Sequence, residues 1–370
     1  MEWTRTEKRQ LAIFFAVAFG VPYLMGGVMA LALRMGGSTS VFASTQMFYP
    51  AAGAMLALLI TRRGDKLLPR RFYIGFLALT AVMAVIALTT FMQPGLALML
   101  SNYAIILGSV VCLVLYFVDG KARRTAGGLR LTGAGGGKAI VLTVLLFLGL
   151  YLGRYALAIL ITKVTDPSAT LADMGFSTNW LYTVINLAMV PVNFFLVYTP
   201  FLGEEYGWCA FLQPLLQKRM GARRGVVLLG VLWGLWHLPL NVFYYSPDTW
   251  LQSLVNQVIL CVCLAVFFGY AQHKTRTVWV PVVMHYLNNN LIAVFAGTTT
   301  VIENQVIGWA NVAVSAVMLA VLYLPSLASR FWKEPLPCLP LDIPAEPAAP
   351  AAPSEVPAGD KQPPQYGPLN

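Results

Sequence analysis

Two adjacent carboxylates, Glu204 and Glu205, end a long apolar segment, residues 180–202, in the stretch GEEYGW. An ionised side chain within hydrocarbon costs about 2.5 kcal/mol or more, so such groups usually face a cavity, a partner or a substrate. Neighbouring carboxylates also resist joint ionisation, and one of them tends to keep its proton. A carboxyl group that exchanges a proton in an apolar cavity is suited to act as a general base. The pair therefore marks a candidate site for catalysis or proton transfer.

Few other strongly polar side chains fall within apolar segments, and each has a neighbour at helical spacing. Trp233 precedes His237 by four residues, so the two share a helix face, and Pro239 should interrupt that helix and favour a cavity. His285 and Asn289 are also spaced i, i+4. Taken singly, each of these groups could simply form hydrogen bonds between membrane helices. The remaining polar groups in such segments are Arg154, Asn288 and Asn290.

The depths of these groups allow them to meet. At a rise of 1.5 Å per residue, His285 and Asn289 lie roughly 10–16 Å in from one end of their segment, and His237 roughly 18 Å in from the same side. A continuous helix over residues 180–216 would be roughly 55 Å long, whereas a bilayer needs about 30 Å. The prolines of this segment therefore predict a break or a steep tilt that holds Glu204 at the depth of the histidines: Pro191, Pro200 and Pro214.

The composition indicates a membrane protein. Of 370 residues, 58% are hydrophobic and 11% charged, with a mean hydropathy of +0.68, whereas soluble domains average about 25% charged residues. The first apolar run is too long for a signal-peptide core of about 7–15 residues. We therefore predict an all-α, polytopic transmembrane helix bundle of about 8–10 helices. The candidate spans are Leu11–Leu33, Val41–Ile60, Phe72–Met92, Leu96–Val118, Ala139–Thr162, Trp180–Leu202, Gly225–Val242, Leu251–Ala271, Val278–Ala296 and Val306–Leu324.

The net charge of +10 would suit a nucleic-acid partner, but its distribution favours a lipid bilayer instead. Lys and Arg cluster in the short loops 61–71, 119–138, 217–224 and 272–277, and the alternate loops hold only Arg34 and Lys163. Such asymmetry orients membrane helices with the basic loops inside the cell. We predict a multi-pass integral protein of a bacterial cytoplasmic membrane, with both termini cytoplasmic and no nucleic-acid partner.

Three short motifs on successive apolar segments together resemble a known family. GEEYGWCAFLQP, WGLWHLP and MHYLNNN are similar, in this order, to the CPBP intramembrane protease family, which includes CAAX proteases and bacteriocin-processing enzymes and is also called Abi. The resemblance covers about residues 181–291. The family pattern E-E-x-x-x-R, [FW]-x-x-x-H and H-x-x-x-[ND] is matched here by Glu204 and Glu205, Trp233 and His237, and His285 and Asn289.

The resemblance implies a glutamate-dependent endopeptidase that cleaves a membrane-associated peptide or protein. Glu204 and His237 would activate water, His285 and Asn289 would donate to the oxyanion, and Glu205 would share a proton with Glu204 or anchor its helix. No cofactor is implied. A His2Glu zinc site built from His237, His285 and a glutamate also fits the residue types, but the chain has no H-E-x-x-H motif, so zinc is not favoured.

The chain is expected to divide into three parts: 1–138 would form N-terminal transmembrane helices, 139–330 a catalytic membrane core similar to the family, and 331–370, from its Pro/Ala-rich composition, a disordered cytoplasmic tail. The resemblance itself does not extend to the first spans or to the tail. Cys209 departs from the pattern, since the family has Arg four residues after the second Glu. One hypothesis is that Arg154 replaces this cation by pairing with Glu205. Two alternatives to an active protease remain open, namely a catalytically weakened scaffold or immunity protein and a proton-coupled transporter.

Overall fold

The computed structural model describes residues 3–298 and 302–341, and these residues form helices and connecting loops with no strand. The helices are α1 (Arg5–Phe15), α2 (Val21–Arg34), α3 (Ser40–Gln46), α4 (Tyr49–Thr61), α5 (Arg70–Thr89), α6 (Pro94–Val118), α7 (Gly120–Ala126), α8 (Gly136–Thr165), α9 (Trp180–Glu205), α10 (Gln213–Met220), α11 (Ala222–Trp236), α12 (Leu238–Leu240), α13 (Trp250–Thr275), α14 (Trp279–Ala296) and α15 (Trp309–Tyr323).

The described residues include nine helical stretches long and apolar enough to cross a membrane, which confirms the predicted all-α polytopic bundle. The predicted span Val278–Ala296 is helical as α14 but is not one of the nine. Its His and Asn side chains make it more polar than the others. The nine stretches are Arg5–Arg34, Ser40–Thr61, Arg70–Thr89, Pro94–Val118, Gly136–Thr165, Trp180–Met220, Ala222–Tyr245, Pro247–Thr275 and Trp309–Ala328.

The basic loops meet at one end of the bundle. Arg130 Nε donates to the carbonyl of Arg276 at 2.7 Å, and Arg123 Nε donates to the carbonyl of Lys66 at 3.1 Å. Lys218 pairs with Glu7 of α1 at 2.7 Å. We call this the basic end and define it by residues 62–69, 119–135, 217–224 and 272–278.

The alternate loops meet at the opposite end, which we call the far end and define by residues 35–39, 90–93, 166–179, 246–249, 297–298 and 302–308. There the backbone N–H of Ser177 donates to the carbonyl of Phe295 at 2.7 Å, and that of Asn304 to the carbonyl of Tyr244 at 3.1 Å. Successive long helices therefore run in alternate directions between two ends of different charge.

Residues 331–341 pack against the basic end, so the prediction of a disordered tail is wrong for this stretch. Trp332 is 4% exposed and Leu336 is also buried. Glu334 pairs with Arg276 at 2.7 Å, and the N–H of Leu341 donates to the carbonyl of Ala126 at 2.7 Å. The two apolar side chains among the prolines supply the buried surface that the composition alone did not suggest. The rest of the predicted tail, 342–370, lies outside the described residues.

The helix that carries the Glu pair bends before it and widens after it. Val197 has non-helical dihedral angles (φ −134°, ψ 21°), three residues before Pro200, as expected where a proline ring removes a hydrogen bond and crowds the preceding turn. Directly after Glu205 the chain forms a π-helical stretch, Tyr206–Leu212, whose residues are all buried. Such wide turns are frequent at functional sites. The predicted break in this segment is thus present.

Glycines spaced by four residues bring the site-bearing helices into close contact. A Cβ atom added at Gly203 would lie 2.4 Å from the Met47 carbonyl oxygen, and one at Gly207 2.4 Å from Pro50 Cβ. On α11, a Cβ atom at Gly230 would lie 2.4 Å from Val262 Cα of α13. Small residues at this spacing allow backbones of membrane helices to approach closely. The Glu pair is thereby held against the α3–α4 junction and α11 against α13.

We predict that Gly230→Ala destabilises the protein by about 1–3 kcal/mol, because the added methyl group overpacks a backbone contact. Gly27→Ala is the matched control, since no atom lies within 4 Å of the Cβ position there and alanine favours a helix by up to about 1 kcal/mol over glycine. Thermal unfolding of detergent-solubilised protein measures both. Equal midpoints for the two variants would contradict the assigned contact.

Candidate active site

Glu204 is 2% exposed and is held by a side chain from another helix. Trp233 Nε1–H of α11 donates to Glu204 Oε2 at 2.7 Å. A buried carboxylate without donors is costly, and a hydrogen bond to a charged group contributes about 1.5–3 kcal/mol. The same Trp233 ring lies 5.5 Å from the His285 ring between centroids. The indole therefore orients one Glu204 oxygen and also contacts a histidine of a third helix.

Glu205 is 1% exposed and uses both of its oxygens. His285 Nδ1 of α14 lies 2.7 Å from Glu205 Oε1, and Cys209 Sγ–H donates to Glu205 Oε2 at 3.0 Å. Cys209, one turn further along the chain, thus supplies a donor where the family pattern has Arg. The pair Glu205–His285 ties α14 to the segment that carries both carboxylates.

The hypothesis that Arg154 pairs with Glu205 is wrong. The Arg154 guanidinium carbon lies 4.9 Å from the Tyr151 ring centroid and 5.7 Å from the Tyr155 ring centroid. These cation–π contacts satisfy the charge within α8 itself. The sequence allowed Arg154 to contact either Glu205 or the tyrosines of its own helix, because the spacing within α8 does not show which other segment packs against it.

His237 stands where α11 ends, as the position of Pro239 predicted. Its backbone (φ −79°, ψ 0°) leaves the helix, and the short α12 and a π-helical stretch, Asn241–Tyr245, follow. His237 Nδ1 lies 2.8 Å from the carbonyl oxygen of Trp233. A carbonyl oxygen only accepts, so Nδ1 carries the proton of this hydrogen bond, and in the neutral ring Nε2 is then free to accept one.

One cavity of about 400 Å³ brings these groups together. Glu204, His237, His285 and Asn289, four of the five residues singled out in the sequence, line it. Glu205 is not part of the lining and lies behind His285. The fold therefore divides the carboxylate pair into one group that faces the cavity and one that holds a histidine.

Residues of α13 form a further wall of this cavity that the sequence analysis missed: Ser253, Asn256, Gln257 and Cys261. Their spacing of three, one and four residues is helical and could have indicated a polar face within an apolar span. Cys261 Sγ lies 3.9 Å from His237 Nδ1. The cavity wall formed by α13 therefore lies directly beside His237.

Two amide oxygens make the cavity polar. Within the described part of the chain, Asn288 Oδ1 and Asn256 Oδ1 are buried and accept no hydrogen bond. Both residues line the cavity, and buried polar atoms normally have a partner. Asn288 Nδ2 donates to Asn289 Oδ1 at 3.0 Å, which orients the neighbouring amide. The cavity can therefore offer hydrogen bonds to a polar occupant.

A metal site is a separate question. Across residues 3–298 and 302–341, no three His, Cys, Asp or Glu side chains are grouped as metal ligands would be. In particular, His285 Nδ1 is already taken by Glu205. The positions of the possible metal ligands therefore add no support to the hypothesis of a His2Glu zinc site.

We predict that Cys209→Ala destabilises the protein by about 1 kcal/mol, since S–H is a weak donor but its acceptor is a buried carboxylate. Cys209→Ser retains a donor at the same position and is the matched control. Thermal unfolding in detergent should show a lower midpoint for the alanine variant than for the serine variant. An equal shift for both would mean that the Sγ–H···Oε2 contact contributes nothing.

Comparison with known proteins gives a match over the segment that contains these residues. Neither a curated protein nor a solved structure matches the chain. A family model, described as type II CAAX prenyl endopeptidase Rce1-like, matches residues 179–291. This range, less than a third of the chain, contains Glu204, Glu205, His237, His285 and Asn289. Residues 179–291 thus match an Rce1-like domain, of the CPBP/CAAX protease family, and lie within a multi-pass membrane protein.

Proposed function

We propose that the protein is a glutamate-dependent intramembrane endopeptidase that cleaves a membrane-associated peptide or protein. The observation that carries the proposal is the convergence of Glu204, His237, His285 and Asn289 on one cavity. These residues come from the end of α9, from the end of α11 and from α14, and they lie within the range 179–291 that the family model matches. Their chemistry supplies a base, a second proton acceptor and hydrogen-bond donors.

Glu204 and His237 are suited to activate water. In the proposed step, the water oxygen bonds to the scissile carbonyl carbon while Glu204 takes a proton from that water, with His237 Nε2 accepting the second hydrogen bond. The C–N bond then breaks, and the proton passes from Glu204 to the leaving nitrogen. General base catalysis of this kind contributes about 10²–10⁴-fold in rate. Trp233 acts as a positioning residue, because its indole N–H fixes one Glu204 oxygen.

His285 and Asn289 are suited to stabilise the oxyanion of the tetrahedral intermediate. Asn289 offers an amide N–H, and His285 offers Nε2 as its remaining ring nitrogen, since Nδ1 is bonded to Glu205. A proton on Nε2 would make it a donor, with Glu205 as the balancing charge. Losing one oxyanion donor typically costs about 10²–10³-fold in rate. Glu205 is thus proposed as a positioning residue and not as the base.

We predict that Glu204→Gln lowers cleavage by about 10²–10⁴-fold, because the amide cannot accept the proton. Glu7→Gln, which removes the carboxylate paired with Lys218 of the basic end, is the matched control and should retain activity. The assay uses purified protein in detergent with three probes: a farnesylated CAAX peptide, a bacteriocin-leader peptide and a transmembrane-segment peptide, with product ends read by mass spectrometry.

The same assay separates the proposal from its two alternatives. A scaffold or a proton-coupled transporter would show no Glu204-dependent cleavage of any of the three probes. That outcome would contradict the endopeptidase function. Cleavage that persists unchanged in Glu204→Gln would contradict the assignment of the base.

We predict that Trp233→Phe lowers kcat by about 10-fold with little change in KM, because it removes the hydrogen bond that orients Glu204 but keeps an aromatic ring in the cavity wall. The double variant Glu204→Gln/Trp233→Phe should be no slower than Glu204→Gln alone. Trp279→Phe, whose indole N–H donates to the carbonyl of Leu129, is the control. Additive losses in the double variant would show that Trp233 does not act through Glu204.

A further inference from the structure

The active-site cavity extends from the middle of the bundle towards the far end only. Its deep part contains Glu204 and His285, and its outer part contains Tyr245, Ile302 and Ile307, next to or within the far-end loops. None of its lining residues belongs to the basic end as defined above. The cavity is therefore asymmetric with respect to the two ends.

A packed layer separates Glu204 from the basic end. Leu212, Val226, Phe268 and Met284 each lie on the basic side of the site in their own segment, and each is 0% exposed. The Phe268 ring packs on the His285 ring with centroids 6.2 Å apart. An extended peptide could not pass through this layer without displacing buried side chains from four segments.

The side chains around the outer part of the cavity are typical of a membrane surface. Large apolar side chains around it are exposed: Trp250 by 42%, Trp309 by 53% and Val306 by 77%. Exposed tryptophans in a membrane protein mark the interface between hydrocarbon and headgroups. A peptide anchored in the bilayer is concentrated at this level, whereas a freely soluble one is not.

The distance of the active site from the far end limits where a substrate can be cleaved. His285 lies eleven residues before the far end of α14 at Ala296, which corresponds to about 17 Å. An extended chain advances about 3.3–3.6 Å per residue, so about five residues are needed to reach this depth. A substrate that enters from the far end must therefore insert about five residues in an extended conformation. This requires a scissile bond near a chain end or within a segment that already lies in the membrane.

Charge orients the two ends relative to the cell. The basic end carries most Lys and Arg residues of the described chain, whereas the far end carries Asp166, Asp173, Asp248 and Glu303. Lys and Arg in short loops are retained on the cytoplasmic side. The far end, and with it the outer part of the cavity, then faces away from the cytoplasm.

We infer that the substrate is a membrane-anchored peptide that reaches the active site from the extracytoplasmic half of the bilayer. This inference rests on the proposed peptidase function and adds the side of access and the anchoring of the substrate. It also contradicts the simplest expectation for a protease of prenylated cytoplasmic proteins. A peptide anchored on the cytoplasmic surface would meet the basic end, where the packed layer lies.

The side of access is tested with cysteine reporters in a Cys338→Ser background, because the other four native cysteines are buried. Ile307→Cys and Val306→Cys report on the far end, and Lys333→Cys on the basic end. A membrane-impermeant polyethylene-glycol maleimide should label the far-end reporters in spheroplasts of a bacterial host, and Lys333→Cys only in inverted vesicles. The opposite labelling pattern would overturn the inference.

The route is tested on the purified labelled variants with the three probe peptides. Maleimide on Ile307→Cys should lower cleavage at least 10-fold by blocking the outer cavity, whereas the same label on Lys333→Cys should leave it unchanged. Blockage from Lys333→Cys alone would overturn the access route and leave the peptidase function standing. Absence of Glu204-dependent cleavage before labelling would instead overturn the peptidase function, and the inference with it.

Discussion

Two adjacent carboxylates buried in one bundle need separate donors, and this need organises the structure around them. Glu204 is bonded by Trp233 and Glu205 by His285 and Cys209. Leaving either oxygen pair without donors would cost the desolvation of a buried charge. Because Trp233 and His285 come from distant parts of the chain, satisfying the pair also joins three membrane segments. The same contacts that stabilise the carboxylates therefore assemble the site.

The close approach of backbones makes these short contacts possible. Gly203 and Gly207 remove the side chains that would otherwise separate the Glu-bearing segment from α3 and α4, and Gly230 does the same between α11 and α13. In a bilayer, helix association gains little from the hydrophobic effect, so packing of small residues carries more of the stabilisation. The site is thus held between closely packed helices. One π-helical stretch, Tyr206–Leu212, directly follows the carboxylates, and another, Asn241–Tyr245, contributes to the cavity wall.

The two carboxylates have different environments because of the same packing. Glu204 faces the cavity, whereas Glu205 faces α14 and holds a histidine ring by Nδ1. A histidine that is fixed through one ring nitrogen presents the other in a defined orientation, as in hydrolases that pair an acid with a histidine. Cys209 in place of the family's arginine keeps a donor on Glu205 but removes a formal charge. With Cys209 at this position, His285 is the ionisable side chain that is paired with Glu205.

Composition and periodicity alone determined that the chain is a multi-pass helical bundle, that one end is basic, and that His285 and Asn289 share a helix face. These properties depend on hydropathy and on spacing within a single helix, both of which are local. Only the tertiary structure decided that Arg154 stays with its own tyrosines, that α13 lines the cavity, and that residues 331–341 are packed. Each of these depends on contacts between segments far apart in the chain. Helical periodicity identifies the polar face of a helix, but not the neighbour against which that face is packed.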